Sequence, residues 1–294
     1  MTALYSQLIV GFVNGCFYAL LSLGLAVIFG MLNIVNFAHG AFFMTGAFLA
    51  WIGLTQVGPW IGLDGFHLSY WWALLLVPPL VGLLGVVIER TMLRHLYRLD
   101  PLYGMLLTFA FAWILEGLFR YWYGATGRPY DIPDELYGTA NIGQLLLPYY
   151  RIWVVVASLA ACLGTWFIIE RTKLGSYLRA ATENPKLVEA FGINVPALIA
   201  LTYGFGVALA AFAGVLAAPI EQVSPKMGSD VIIVVFAVVV VGGMSSILGS
   251  ILTGLLLGVV EGLTKVVYPE ASAIVIFFIM AIVLMVRPVG LFGR

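Results

Sequence analysis

Charge is scarce in this sequence. Lysine and arginine together number 14 in 294 residues, aspartate and glutamate also 14, and the formal net charge is zero. Charged residues make up 10% of the chain, against about 25% in soluble domains. That balance excludes a basic nucleic-acid surface and an acidic solvating tail. Cysteine is nearly absent. Cys16 and Cys162 both lie in apolar stretches and read as small packing residues, which leaves no disulfide framework and no thiolate metal site. Nothing of the form G-x-x-x-x-G-K-[ST] occurs, and no segment is large enough for a soluble nucleotide-binding domain. Neither a nucleophile–base pair nor a cluster of carboxylates and histidines stands out, which argues against an intramembrane enzyme. No basic residue precedes Arg90. A cleaved secretory signal needs a positive start, so the first apolar stretch is expected to be retained.

What fills the chain instead is apolar sequence, 62% of all residues. A helix needs about 20 apolar residues to cross a hydrocarbon core of roughly 30 Å. Leu8–Met31, Tyr70–Ile88, Leu102–Tyr123, Ile152–Ile169, Pro196–Pro219, Gly249–Val267 and Ala271–Val286 are the clear candidates. Two further segments are short. Ala41–Leu54 would rise only about 21 Å and Val231–Val241 about 16 Å. The fold class is therefore an all-α, polytopic membrane helical bundle of about eight to nine spans, forming one domain over 1–294. Small residues at four-residue spacing mark close helix contacts: Gly206, Ala210, Gly214 and Ala218 on one helix, Ser250, Gly254, Gly258 and Gly262 on another, and the shorter pair Gly11 and Gly15.

Basic residues cluster in three places: Arg90, Arg94 and Arg98; Arg171, Lys173, Arg179 and Lys186; Arg287 and Arg294. The positive-inside rule puts these in the cytoplasm. The acidic, proline-containing loop Gly124–Tyr150 then lies outside, as does Glu221–Asp230. Nine crossings would leave the N-terminus outside and the C-terminus inside, and a re-entrant short segment would change that parity. Glu116 with Arg120, and Glu261 with Lys265, are four apart and expected to pair on one helix face. They read as end anchors or as functional intramembrane charges.

The scarce polar residues fall beside the two short segments. "NIVNFAHG", residues 33–40, precedes the first, and "GGMSSILGS", residues 242–250, follows the second. Irregular backbone at membrane depth survives only where protein buries it or water lines it. Paired interruptions in the two halves of a chain are a pointer to a transport path. Asn33, Asn36, His39, Gly40, Gly242, Gly243, Ser245 and Ser246 are the candidate path residues. Ordinary cytoplasmic turns would use the same residue types. A metal role for His39 is disfavoured, because His67 and His95 fall in loops on opposite sides.

The basic loop 170–196 contains a short helix. Asn184 followed by Pro185 is a cap with proline in the first turn, and Gly192 after Phe191 is a stop. Pro185–Phe191 is too short to be stable alone. Leu187, Val188 and Phe191 are expected to form an apolar ridge, suited either to a partner's groove or to the chain's own bundle.

Four stretches, in this order, carry a resemblance that covers nearly the whole chain. They are "NGCFYALLSLGLAVIFGMLNIVNFAHGAFFMTGA", "GSYLRAATENPKLVEAFGIN", "GGMSSILGSILTGLLLGVVE" and "RPVGLFG". Together they resemble the permease subunits of the branched-chain, or hydrophobic, amino-acid ATP-binding-cassette importers. The resemblance implies a transport subunit without catalytic activity, multi-pass in the bacterial inner membrane. It implies no cofactor on this chain, with ATP and Mg used by two separate ATPase subunits. The other implied partners are a second, usually non-identical permease and a periplasmic substrate-binding protein. Asn184, Pro185, Leu187, Val188, Phe191 and Gly192 would then form the coupling helix in loop 170–196. The expected passengers are branched-chain or related hydrophobic amino acids. Urea, short amides or aromatic acids are the alternatives within the family, and a self-sufficient secondary carrier or channel is the alternative outside it.

Overall fold

The computed structural model describes residues 2–32, 35–60, 62, 67–97, 99–142 and 145–293. Asn33, Arg98 and Arg294 lie outside the described residues. The helices are α1 (Thr2–Leu32), α2 (Ala38–Thr55), α3 (Val57–Trp60), α4 (Tyr70–Thr91), α5 (Pro101–Tyr123), α6 (Tyr149–Arg171), α7 (Lys173–Glu183), α8 (Pro185–Ala190), α9 (Val195–Ala217), α10 (Met227–Gly242), α11 (Ile247–Val267) and α12 (Val275–Val286). One antiparallel hairpin, β1 (Thr139–Ile142) with β2 (Leu145–Pro148), lies in the loop before α6, with Thr139 opposite Pro148.

Polar caps punctuate this apolar chain. Asp100 accepts a hydrogen bond from the Leu102 amide (2.9 Å), with Pro101 opening α5. Asn194 accepts from the Ala197 amide (3.0 Å), with Pro196 in the first turn of α9. A cap satisfies an orphan amide that hydrocarbon could not. Proline costs nothing there, because its missing N–H would have had no partner.

By length and hydropathy, seven helices among the described residues can cross a membrane: Leu4–Gly30, Ala38–Thr55, Tyr70–His95, Pro101–Tyr123, Tyr149–Arg171, Val195–Ala217 and Ile247–Val267. Met227–Gly242 and Val275–Val286 are shorter apolar helices. Two lengths differ from expectation. The first short segment gains Ala38–Gly40 and Thr55 and becomes an 18-residue helix, with Asn36 accepting from the Ala38 amide at its start. The last segment loses length: Pro269–Ala271 is a 3-10 turn, so the helix runs for only 12 residues from Val275.

The chain forms two compact units. The first comprises Met1–Ala26, Ile132–Arg171 and Ile233–Arg294. Within it α1 and α11 run antiparallel in close contact. Ser22 donates to the Ser250 carbonyl oxygen (3.2 Å), and the ladder Gly11–Gly15 interlocks with Gly254, Gly258 and Gly262. A methyl group on any of these glycines would run into the other helix's backbone. Tyr18 donates to Glu261 (2.7 Å), which also pairs with Lys265 (2.6 Å). Ala237, Val238, Val241, Leu257 and Ile276 form a buried cluster beside this contact.

The second unit comprises Val27–Asp131 and Thr172–Ile232. Its centre is α2, with 14 buried residues. Gly46 meets Ala211 on α9, and Phe43 and Ala47 meet Gly214. Along α5 the rings pair in step: Phe37 with Phe109, Phe42 with Phe111, Phe48 with Phe119, and Trp51 with Tyr123. The two helices therefore run in the same direction.

Candidate functional site

The first break lies in the second unit. Asn36 is buried, and its Oδ1 accepts from the Ala38 amide (3.1 Å) to start α2. Its carbonyl accepts from the His39 amide (3.2 Å). Thr108, on α5, accepts from the Phe37 amide (3.2 Å) and also lies within reach of the Val35 carbonyl (3.4 Å). The break is thus satisfied by a side chain from another helix. His39 is fully buried in the first turn of α2. Gly40 packs against Gly228 in the first turn of α10, where a methyl on either would overlap the other's carbonyl oxygen.

The second break lies in the first unit and is built differently. Gly242 ends α10, and Gly243 has φ +98°, a left-handed conformation that disfavours other residues. Ser246 caps α11 by accepting from the Gly249 amide (3.1 Å). Gly242 packs against Gly249 across the turn. The closing segment docks here: the Leu291 amide donates to Val241 (2.8 Å) and the Phe292 amide to Gly242 (3.2 Å). Two of the four motifs, "GGMSSILGS" and "RPVGLFG", therefore serve one turn. Gly242 and Gly243 are buried, whereas Ser245 is exposed.

The structure thus groups the candidate path residues in two sets. Asn36, His39 and Gly40 lie together in one unit, and Gly242, Gly243, Ser245 and Ser246 in the other. Two groups near the first break escape a reading of the sequence. Thr108 looks like any threonine in an apolar span. Glu89 is 2% exposed on α4, and the Tyr97 hydroxyl donates to its Oε1 (2.8 Å). Among the described residues no group hydrogen-bonds its Oε2. Burial, and then the Glu89 carboxylate, push the Tyr97 phenol above its ordinary range, so it stays a donor. A glutamate between Ile88 and Arg90 reads as part of the basic cluster, which hides its burial.

Glu116 and Arg120 pair on α5 (2.5 Å), as their spacing predicts. Glu116 also lines an open pocket with Phe37, Ala41 and Met44 of α2, Phe109, Ala112 and Trp113 of α5, and Pro225, Gly228, Ser229 and Ile232 at the start of α10.

The basic loop folds as two helices. The sequence pattern does not announce α7, which buries Gly175, Leu178 and Ala181. α8 begins as expected, with Asn184 accepting from the Leu187 amide (3.1 Å), and ends before Gly192 at φ +82°. The expected three-residue ridge is split. Val188 is 6% exposed and packs with Ala181 and Val195, whereas Leu187 is 55% and Phe191 78% exposed. The reason is packing: Val188 turns toward Ala181 on α7 and Val195 at the start of α9, whereas Leu187 and Phe191 do not.

Long apolar helices with few charges inside their length define a polytopic membrane protein. The chain belongs to the family of branched-chain amino acid transport system permease components, whose model matches residues 7–284. It is 31% identical over 293 residues to the high-affinity branched-chain amino acid transport system permease protein BraD of Pseudomonas aeruginosa, covering 98% of this chain and 95% of that protein. It is 28% identical over 303 residues to LivH of Salmonella typhimurium, a permease of the same description, with the same coverage. A probable LivH of Methanocaldococcus jannaschii is 27% identical over 288 residues, covering 93% of this chain and 88% of its own. No solved structure matches the chain.

Proposed function

We propose that this chain is the membrane-spanning permease subunit of an ATP-driven importer for branched-chain or related hydrophobic amino acids. It sits in the bacterial inner membrane beside a second permease subunit. Two ATPase subunits bind it on the cytoplasmic side, and a periplasmic binding protein delivers the passenger. ATP, with Mg, is used by the ATPases, and this chain holds no cofactor. Asn36, His39 and Gly40 in one unit, and Gly242, Gly243, Ser245 and Ser246 in the other, lie at or beside the path. Asn33 belongs to the first set by its position in sequence.

The observation that carries the coupling half of this reading is α8. A capped six-residue helix and the Phe191 that follows it present Leu187 and Phe191 outward, while Val188 ties the helix to its own unit. Exposed apolar anchors one turn apart fit a partner's groove. Nucleotide-driven motion reaches the bundle through that tie. Replacing both Leu187 and Phe191 with Asp is expected to abolish uptake and to lose the ATPase on co-purification, while the permease still accumulates in the membrane. Wild-type uptake with the ATPase retained would overturn the assignment. Ion-driven flux by this chain alone in liposomes would favour a secondary carrier.

A further inference from the structure

Three buried polar groups of the second unit lack partners, and they belong to one neighbourhood. Glu89 on α4, Tyr203 on α9 and Asn36 at the first break are each 2% exposed or less. Among the described residues, Glu89 Oε2, the Tyr203 hydroxyl and Asn36 Nδ2 make no hydrogen bond. The Asn36 side chain adjoins the Tyr203 hydroxyl, and the Glu89 charge acts on it. The set is complementary: a carboxylate oxygen that accepts, an amide nitrogen that donates, and a hydroxyl that does both. Burying such atoms unmatched is costly, most of all for a charge, and a native chain keeps few of them without a reason. The gap that Tyr203 lines with Ala38, Ile88, Leu93 and Thr108 has no room for a water molecule, which leaves the three groups to one another.

Two of the three ride on one block. Gly82 of α4 and Gly204 of α9 pack so closely that a methyl on either would meet the other's carbonyl oxygen, and Gly85 packs on Val207. The backbones that carry Glu89 and Tyr203 are therefore held together. Asn36 stands instead on the break that Thr108 of α5 supports. Tyr97 donates to Glu89 Oε1 (2.8 Å), which ties the carboxylate to the basic turn after α4. Resting on the reading of this chain as an importer subunit, we propose that Glu89, Tyr203 and Asn36 form a polar latch that is open in this structure and closes at another step of transport. On closing, the Tyr203 hydroxyl donates to Glu89 Oε2 and accepts from Asn36 Nδ2. The first break is then held to the α4–α9 block as well as to α5. Glu89 is a positioning residue in this scheme and touches no passenger.

Tyr203→Phe is the central test, because in this structure the hydroxyl bonds to nothing. If the ring only packs, removing the hydroxyl changes neither transport nor folding. The latch predicts a split: the melting temperature in detergent holds or rises, while leucine uptake by the assembled importer falls about tenfold or more, the scale of one hydrogen bond to a charged group. The cells used lack their own branched-chain uptake, and the ATPase should still co-purify. Glu89→Gln keeps the acceptor for Tyr97 and replaces Oε2 by a donor, so it is expected to match that loss. The double variant should be no slower than the slower single, since both remove one contact. A second readout is independent of transport. Val35→Cys, beside the break, is expected to take a small thiol reagent about threefold faster or more when combined with Tyr203→Phe, because the closed state is lost. Cys16 and Cys162 are buried and add little background. Unchanged uptake or unchanged labelling in Tyr203→Phe would overturn the latch. So would a melting temperature that falls along with uptake, which marks a packing role, or a double variant whose loss is the product of the singles. If Glu89→Gln does not accumulate, Tyr203→Phe decides alone. A wild-type complex that carries no amino acid would overturn the transport function instead, and the labelling pair would still decide the latch.

Discussion

The two interruptions look alike in sequence and differ in what holds them. The first, around Asn36, is held from outside itself: Thr108 of α5 binds its backbone, and Gly228 packs on Gly40. The second, around Gly243, is held by backbone: Ser246 caps the helix that follows, and amides of the closing segment hydrogen-bond across the turn. A break satisfied by a separate helix changes when that helix moves. A turn clamped by several backbone hydrogen bonds does not depend on one side chain. The difference teaches that glycine beside polar residues signals an interruption, not the kind of interruption, and that the first borders the pocket at Glu116.

The strongest way to break the comparison is Gly40→Val. Its Cβ would overlap the Gly228 carbonyl oxygen and crowd Ile232. Neither backbone can yield easily, so overpacking is expected to cost about 3 kcal/mol or more, with little folded protein in the membrane. Gly243→Ala meets the left-handed φ of +98°, worth about 1–2 kcal/mol, and the tail at Gly293. It should lower thermal stability in detergent by less than Gly40→Val does. If Gly243→Ala is the more damaging, the second break rather than the first is the sensitive one.

Much of this fold was legible in the sequence, and the reasons are physical. Span lengths and the basic clusters follow from the cost of charge in hydrocarbon. The glycine ladders of α1 and α11 were readable because close helix approach demands small residues at fixed spacing. The cap at Asn184 was readable because an orphan amide needs a side-chain oxygen near it. The split of the α8 ridge was not legible, since Val188 is three residues from Phe191 and spacing does not say which of them the bundle covers. Thr108 and the pocket at Glu116 depend on three segments far apart in the chain, and no local pattern records that meeting. The shortening of α12 was signalled by Pro269 but outweighed by the apolar run after it.

An intermediate effect separates the side-chain support from the backbone one. Thr108→Val keeps shape and removes the hydroxyl that accepts from the Phe37 amide. A buried amide left without its partner costs about 1–3 kcal/mol, so the melting temperature in detergent should fall. Thr108→Ser keeps the hydroxyl and should recover most of the loss. If the break is a moving part, Thr108→Val also changes the uptake rate, whereas Thr108→Ser restores it. A lowered melting temperature with unchanged uptake would make the break a fixed structural joint like the second one.

The smallest effect belongs to Ser246→Ala. Its hydroxyl oxygen accepts from the Gly249 amide (3.1 Å), and loss of such a cap costs about 1 kcal/mol. The turn retains the Leu291 and Phe292 amide bonds to Val241 and Gly242, so its geometry should persist. Ser245→Ala, at an exposed position, is expected to be milder still in stability, which makes the pair a clean probe. If both serines act only on the turn, uptake by each variant stays near wild type while thermal stability falls for Ser246→Ala alone. A tenfold or larger loss of uptake in Ser245→Ala, with stability unchanged, would instead place that hydroxyl on the path. The second break would then join the first as a functional element despite its backbone clamp.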